Sequence, residues 1–274
     1  MKLSIKIAIL DMYNGCANEG MRCIKLICEE FLIQNGIKEN YVVFDVRKKN
    51  EIPKIEDFDI FISTGGPGNP LPEGNNWELK FSDFLDQIFE HNRSNKNKKF
   101  LFLICHSFQI ASNHLKLGNL CKRRSTSFGV MPIHRTTDSK TEPFFSGLPE
   151  IFYALDSREY QIISPNWQKI NDSGAKVLCL EKIREDIPLE RAIMSIRFSK
   201  EVFGTQFHPE VDAEGMLRYL KQEEKMIAVI SEHGLEKYEL MIDQLDDPDK
   251  IRLTESIIIP SFLNHAADQI LKSN

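Results

Sequence analysis

Cys105 and the segment His208-Pro209-Glu210 are the residues of this chain best suited to act together on a substrate. Cys105 ends an apolar run, Phe100-Leu101-Phe102-Leu103-Ile104, and is followed by His106-Ser107-Phe108-Gln109 and helix-forming sequence. A buried strand that stops at a nucleophile and turns straight into a helix is how α/β enzymes present an attacking side chain. The thiolate is the reactive form of cysteine, and a helix N-terminus and a nearby imidazolium both favour it. Downstream, Pro209 restricts His208 to β-like geometry. In extended backbone, residues two apart point to the same side. Glu210 can therefore hold one imidazole nitrogen while the other faces the sulfur. The remaining cysteines, at 16, 23, 28, 121 and 179, read as small buried hydrophobes. Neither Cys-x-x-Cys nor His-Glu-x-x-His occurs, so no metal and no cofactor is expected.

A second loop adds electrophilic help. Thr64-Gly65-Gly66-Pro67-Gly68 lacks both Gly-Lys-Ser/Thr and the Gly-x-Gly-x-x-Gly spacing, so it does not read as a phosphate loop. Glycines after a strand let backbone N–H groups approach a developing negative charge closely. The N–H groups of Gly66 and His106 are the expected oxyanion donors.

These residues need a scaffold. Strands are expected at Ile5–Leu10, Tyr41–Phe44, Ile60–Ser63 and Phe100–Ile104, with helices at Met21–Gln34, Trp77–His91 and just after Cys105. That alternation implies a mostly parallel sheet covered on both faces, with its site beyond the carboxyl ends of the strands. Three loops converge there: Asp11–Gly20, Thr64–Pro72 and the Cys105 turn. From Ser127 the pattern becomes strand-rich, at Phe128–Ile133, Phe152–Leu155, Val177–Leu180, Ala192–Phe198 and Val202–Gln206, and reads as antiparallel or mixed. After Val211 helices are expected at Ala213–His233, Leu235–Leu245 and Ser261–Leu271, broken by Gly234, Pro248 and Pro260. The expected class is α/β, with residues 1–211 as the catalytic unit and 212–274 as a helical extension packed on the core.

Bulk properties exclude several roles. The chain has 274 residues and a net charge of −5, so no global basic field recruits nucleic acid. The basic segments Arg93–Lys99 and Lys122-Arg123-Arg124 read as solvated loops. No apolar stretch approaches the roughly 20 residues of a membrane span. Met1 to Leu10 lacks the length and cleavage site of a signal peptide, so a cytoplasmic location is expected.

Taken together, Gly-Gly-Pro after the third strand, a cysteine at a strand–helix elbow, and Gly-x-Gln-Phe-His-Pro-Glu resemble the class I glutamine amidotransferases over roughly residues 5 to 212. The resemblance implies a flavodoxin-like α/β core and a Cys105-His208-Glu210 triad. Cys105 would attack the side-chain amide of glutamine, or of another γ-glutamyl compound. Ammonia would leave, and water would hydrolyse the γ-glutamyl thioester. Gln109 matches the family's glutamine near the start of the elbow helix. Ser127-Phe128-Gly129 resembles the strand that helps hold glutamine in guanosine monophosphate synthetase and its relatives. A separate synthetase subunit is the implied ammonia acceptor. The chain departs from the family's Gly-x-Cys-x-Gly, with Leu103 and Ser107 in place of the glycines and Phe108 next. Asp156-Ser157-Arg158-Glu159 stands where Ser-His-Gly-Asp is usual, and Arg158 is either a carboxylate ligand or a surface arginine. A catalytically silent binding protein and a γ-glutamyl peptidase on the same fold are the alternatives.

Overall fold

A computed structural model describes residues 5–273 except 39, 186–187 and 248–249. The strands are β1 (Ile7–Asp11), β2 (Tyr41–Asp45), β3 (Ile60–Ser63), β4 (Phe100–Ile104), β5 (Asn119–Arg135), β6 (Ile151–Ile163), β7 (Lys176–Glu181), β8 (Ile193–Arg197) and β9 (Val202–Thr205). The helices are α1 (Glu19–Gln34), α2 (Asn76–Ser94), α3 (His106–His114), α4 (Trp167–Ser173), α5 (Ala213–Leu220), α6 (Glu223–His233), α7 (Leu235–Asp246) and α8 (Ile251–Ser273). The nine strands among the described residues form one sheet in the order β2-β1-β3-β4-β9-β8-β7-β5-β6. The run β2-β1-β3-β4-β9 is parallel; from β9 to β6 every pairing is antiparallel. The expected mixed α/β architecture is therefore the observed one.

The strand residues alternate between two cores, as a sheet covered on both faces requires. Ile7, Ile9, Ile60, Ile62, Phe102 and Phe203 face α1 and α8. Ala8, Leu10, Phe61, Leu101 and Leu103 face α2 and α3, where Phe81, Phe84 and Phe108 are fully buried. A third cluster joins Val130 and Leu155 of the β5–β6 hairpin to Met216, Leu220, Met241 and Leu245 of the C-terminal helices.

Several sequence expectations need correction. Pro260 does not end a helix: α8 runs through it. Proline inside a helix costs roughly 3 kcal/mol. Ile258, Ile259, Phe262, Leu263 and Ala266 of α8 are buried in the main core and offset that cost. The helix expected over Ala213–His233 is two, α5 and α6, divided at Lys221-Gln222 so that Leu220 and Val229 both enter the third cluster. Pro248 lies outside the described residues. Lys122-Arg123-Arg124 is not a loop but part of β5, which begins well before Phe128. Cys23, Cys28 and Cys179 are buried as expected, whereas Cys121 is half-buried and Cys16 exposed. No described helix is long and apolar enough to cross a membrane.

Candidate active site

Cys105 sits between β4 and α3 with φ 46° and ψ −97°, a left-handed conformation that a side chain adopts only under constraint. Three sets of hydrogen bonds impose it. The Cys105 N–H donates to the Thr205 carbonyl at 2.8 Å, and the Cys105 carbonyl accepts from the Gln109 N–H at 2.9 Å. The Ser107 hydroxyl accepts from the Ile104 N–H at 3.0 Å and donates to the Ser63 carbonyl at 2.9 Å. The elbow is thus tied to both neighbouring strand ends. Ser107, which stands in place of a flanking glycine, binds it to the start of the Gly65-Gly66 loop. Phe108 packs against Gly204, where an added Cβ would stand only 2.9 Å from its ring.

β9 leads directly into Gln206-Phe207-His208. The His208 N–H donates to the Leu155 carbonyl at 2.9 Å, and Nδ1 lies 2.8 Å from Glu210 Oε1. Glu210 is fully buried. Burial opposes the imidazolium, but the Glu210 carboxylate and then the Cys105 sulfur outweigh it and raise the His208 pKa well above the usual histidine value. Imidazole and cysteine meet over Gly65: a Cβ there would lie 2.8 Å from His208 Cε1 and 3.5 Å from Cys105 Cβ. The sulfur hydrogen-bonds this imidazole, the contact that a nucleophile and its base require.

Gly66 passes so close to β1 that a Cβ would collide with the Met12 carbonyl. Its N–H makes no hydrogen bond to any described residue. His106 is the first residue of α3, so its N–H has no partner within the helix. Both residues line one cavity of about 390 Å³ together with Cys105, His208 and Gln109. The His106 ring lies beside Trp77, and burial, then Arg47, lowers its pKa to about 3. Arg47 lies over the Trp77 ring and donates to the carbonyls of Met12 and Pro67, clamping the glycine loop against β1.

The remaining sequence candidates divide. Gln109 lines the cavity, but its Nε2 is spent on the Tyr160 carbonyl at 3.0 Å and on Gln206 Oε1 at 2.9 Å. Phe128 lines the cavity and stacks on His233 of α6. Ser127 turns away to donate to Asp156 at 2.7 Å, and Gly129 lies under Lys237 and Met241 of α7. Arg158 is no surface residue: it is 4% exposed. Its Nε bonds Asp156 at 2.9 Å and its Nη2 bonds Glu181 at 3.1 Å. Arg123 and Arg184 also pair with Glu181.

Sequence reasoning missed Tyr13, Arg47, Gln206, Met216 and Tyr219. Tyr13, Met216 and Tyr219 line the cavity, and Gln206 donates to the Cys105 sulfur at 3.5 Å. For Gln206 a signal existed, since it lies two residues before His208. Buried polar groups are normally satisfied, yet Tyr13 Oη, His106 Nε2 and Arg158 Nη1, all on cavity-lining residues, have no partner among the described residues. No described cluster of three or more His, Cys, Asp or Glu could hold a metal ion.

Residues 24–225 match the model of the family described as glutamine amidotransferase class-I. Among solved structures, the chain is similar to a glutamine amidotransferase from Thermotoga maritima, at 13% identity and TM-score 0.69, covering 96% of this chain and 98% of that one. It is also similar to a glutamine amido transferase from Methylobacillus flagellatus, at 12% identity and TM-score 0.61, covering 100% and 96%. A third likeness is to the glutaminase domain of Trypanosoma brucei CTPS with bound acivicin, at 14% identity and TM-score 0.54, covering 75% and 86%. At such identities the likeness establishes a shared fold. No curated protein matches the chain.

Proposed function

The chain belongs to the glutamine amidotransferase class-I family, and on that premise we propose that it releases ammonia from glutamine, or from a related γ-glutamyl compound, through a γ-glutamyl thioester on Cys105. The observation that carries this reading is the constrained left-handed Cys105, set beside a histidine that a buried glutamate charges. Such strain is kept where it presents a functional group.

In the proposed cycle the thiolate attacks the amide carbon and forms the C–S bond. The carbonyl oxygen becomes an oxyanion between the N–H groups of Gly66 and His106. As it collapses, the C–N bond breaks and His208 gives its proton to the departing nitrogen, which leaves as ammonia. Water then attacks the thioester, His208 takes its proton, and glutamate leaves as the C–S bond breaks. Glu210 holds the imidazole orientation throughout. Gln109 and Phe128 contribute to the substrate pocket, with Ser127 and Gly129 shaping the strand that carries Phe128. The ammonia passes to a separate synthetase subunit, in the cytoplasm. Residues 1–211 are the amidotransferase unit and 212–274 its helical extension.

A second reading, a γ-glutamyl peptidase, is favoured by one feature. Phe128, Met216 and Tyr219 make one side of the cavity apolar and aromatic, suited to a bulkier amine than ammonia.

The test is release of ammonia and glutamate from glutamine, alongside a panel of γ-glutamyl amides. Turnover that disappears in Cys105→Ser is expected. No release from any of them, with Cys105 labelled by a glutamine-mimicking electrophile no faster than the other cysteines, overturns the reading in favour of a silent binding protein.

A further inference from the structure

Gln206 is fully buried and directs Nε2 at the Cys105 sulfur, 3.5 Å away. Which end of this amide faces the sulfur is decided two residues away. The Tyr160 carbonyl can only accept, so the Gln109 terminus beside it must be the NH2 group, at 3.0 Å. That same Nε2 donates its second hydrogen to Gln206, at 2.9 Å, so the Gln206 atom there must be oxygen. The other end of the Gln206 amide, the NH2, is left for the sulfur. A backbone carbonyl of β6 thereby fixes the polarity of a chain running Tyr160–Gln109–Gln206–Cys105. A neutral thiol has a different outlet, toward the Ser157 carbonyl at 3.7 Å. The N–H of Gln206 donates to the sulfur, and an anionic acceptor binds such a donor more strongly than a neutral one.

We propose that Gln206 is a catalytic residue that presents a fixed N–H donor to the Cys105 thiolate, and that Gln109 is the positioning residue that sets its polarity. The proposal rests on Cys105 being the nucleophile. The charged and titratable groups acting on that sulfur are His208 on the segment after β9, Arg158 on β6, and Tyr13 on the loop after β1. Gln206 adds a donor that no pH change removes. Gln109 keeps its Oε1, and not its NH2, for a ligand in the cavity.

Alkylation of Cys105 by iodoacetamide, located by peptide mass spectrometry and followed from pH 5 to 10, tests this without a substrate. Gln206→Leu and Gln206→Met are expected to slow alkylation about tenfold at pH 7, the size of one charge-assisted hydrogen bond. Their rates should rejoin the wild type at alkaline pH. Gln109→Glu, which makes Gln206 turn its oxygen to the sulfur, should act in the same direction. Adding Gln109→Glu to Gln206→Met should slow alkylation little further, since both act through one contact. A purely structural role would lower thermal stability and leave the pH profile in place. Gln206 variants whose profiles superimpose on the wild type overturn the proposal. Should they fail to fold, Gln109→Glu decides alone by the same criterion. A wild-type Cys105 no more reactive than the other five cysteines overturns the amidohydrolase reading itself, and this inference with it.

Discussion

The Glu210 carboxylate lies 2.8 Å from Nδ1 of His208, fully buried, while its second oxygen has no partner among the described residues. An acid so placed is suited to hold and charge the ring. Glu210→Gln keeps the shape and removes the charge. Turnover is expected to fall by roughly 10²- to 10⁴-fold, as when a triad carboxylate becomes an amide. Steady-state ammonia release and circular dichroism measured together check this; an unchanged kcat would refute the triad.

The conformation of Cys105 stores energy that glycine would not. Cys105→Gly removes the thiol and relieves a left-handed φ of 46°. The variant should be inactive and more stable than Cys105→Ala, by about 1 kcal/mol once glycine's extra chain entropy is counted. Urea unfolding of the two variants makes the comparison.

Gly65 and Gly66 are small for different reasons. Gly65→Ala would press on His208 Cε1 at 2.8 Å, while Gly66→Ala would strike the Met12 carbonyl. The first should cut kcat by about 100-fold through a displaced imidazole, with the fold little disturbed. The second should lower both activity and thermal stability, because backbone must move. Activity and melting temperature on the two variants separate the cases.

Arg158 occupies the strand position beside the elbow as a buried ion-network centre between Asp156 and Glu181. Arg158→Met leaves two buried carboxylates short of a partner, and a loss of about 3 kcal/mol is expected. Chemical denaturation measures it. A change under about 1 kcal/mol would mean that Arg123 and Arg184 satisfy Glu181 without it.

Glu255 on α8 gives stability a pH dependence. Burial, then Asp212 and Glu30, raises its pKa from 4.5 to about 7. Between those values the folded chain holds a proton that the unfolded chain has released, so stability falls as pH rises through this window. Glu255→Gln should therefore stabilise the protein by about 1 kcal/mol at pH 8, given its partial exposure, and leave it unchanged at pH 4. Melting curves at both pH values check the sign.

Much of the fold was legible locally. β3 and β4 have the expected limits, because short apolar runs bounded by polar residues are buried on both faces. The strand–helix turn at Cys105 and the pairing of His208 with Glu210 were legible too, since an elbow is written in adjacent residues and the latter two are two apart. Pro260 misled, because proline's local cost is overridden by apolar burial on α8 that appears only when the helix is docked. The surface reading of Arg158 failed likewise: Glu181 is its neighbour only through the β5–β6–β7 arrangement.

Residue order along the chain sufficed for the elements and for a thiol, an imidazole and a carboxylate in sequence. It could not supply the strand order, which sets β4 between β3 and β9. That order brings Ser107 to Ser63 and Gln109 to Gln206, contacts 44 and 97 residues apart. Hydrogen bonds across such distances depend on which strands become neighbours, and strand pairing is a choice of the whole sheet. How the thiol is held, which donor faces it, and which helices wall its cavity all follow from that choice.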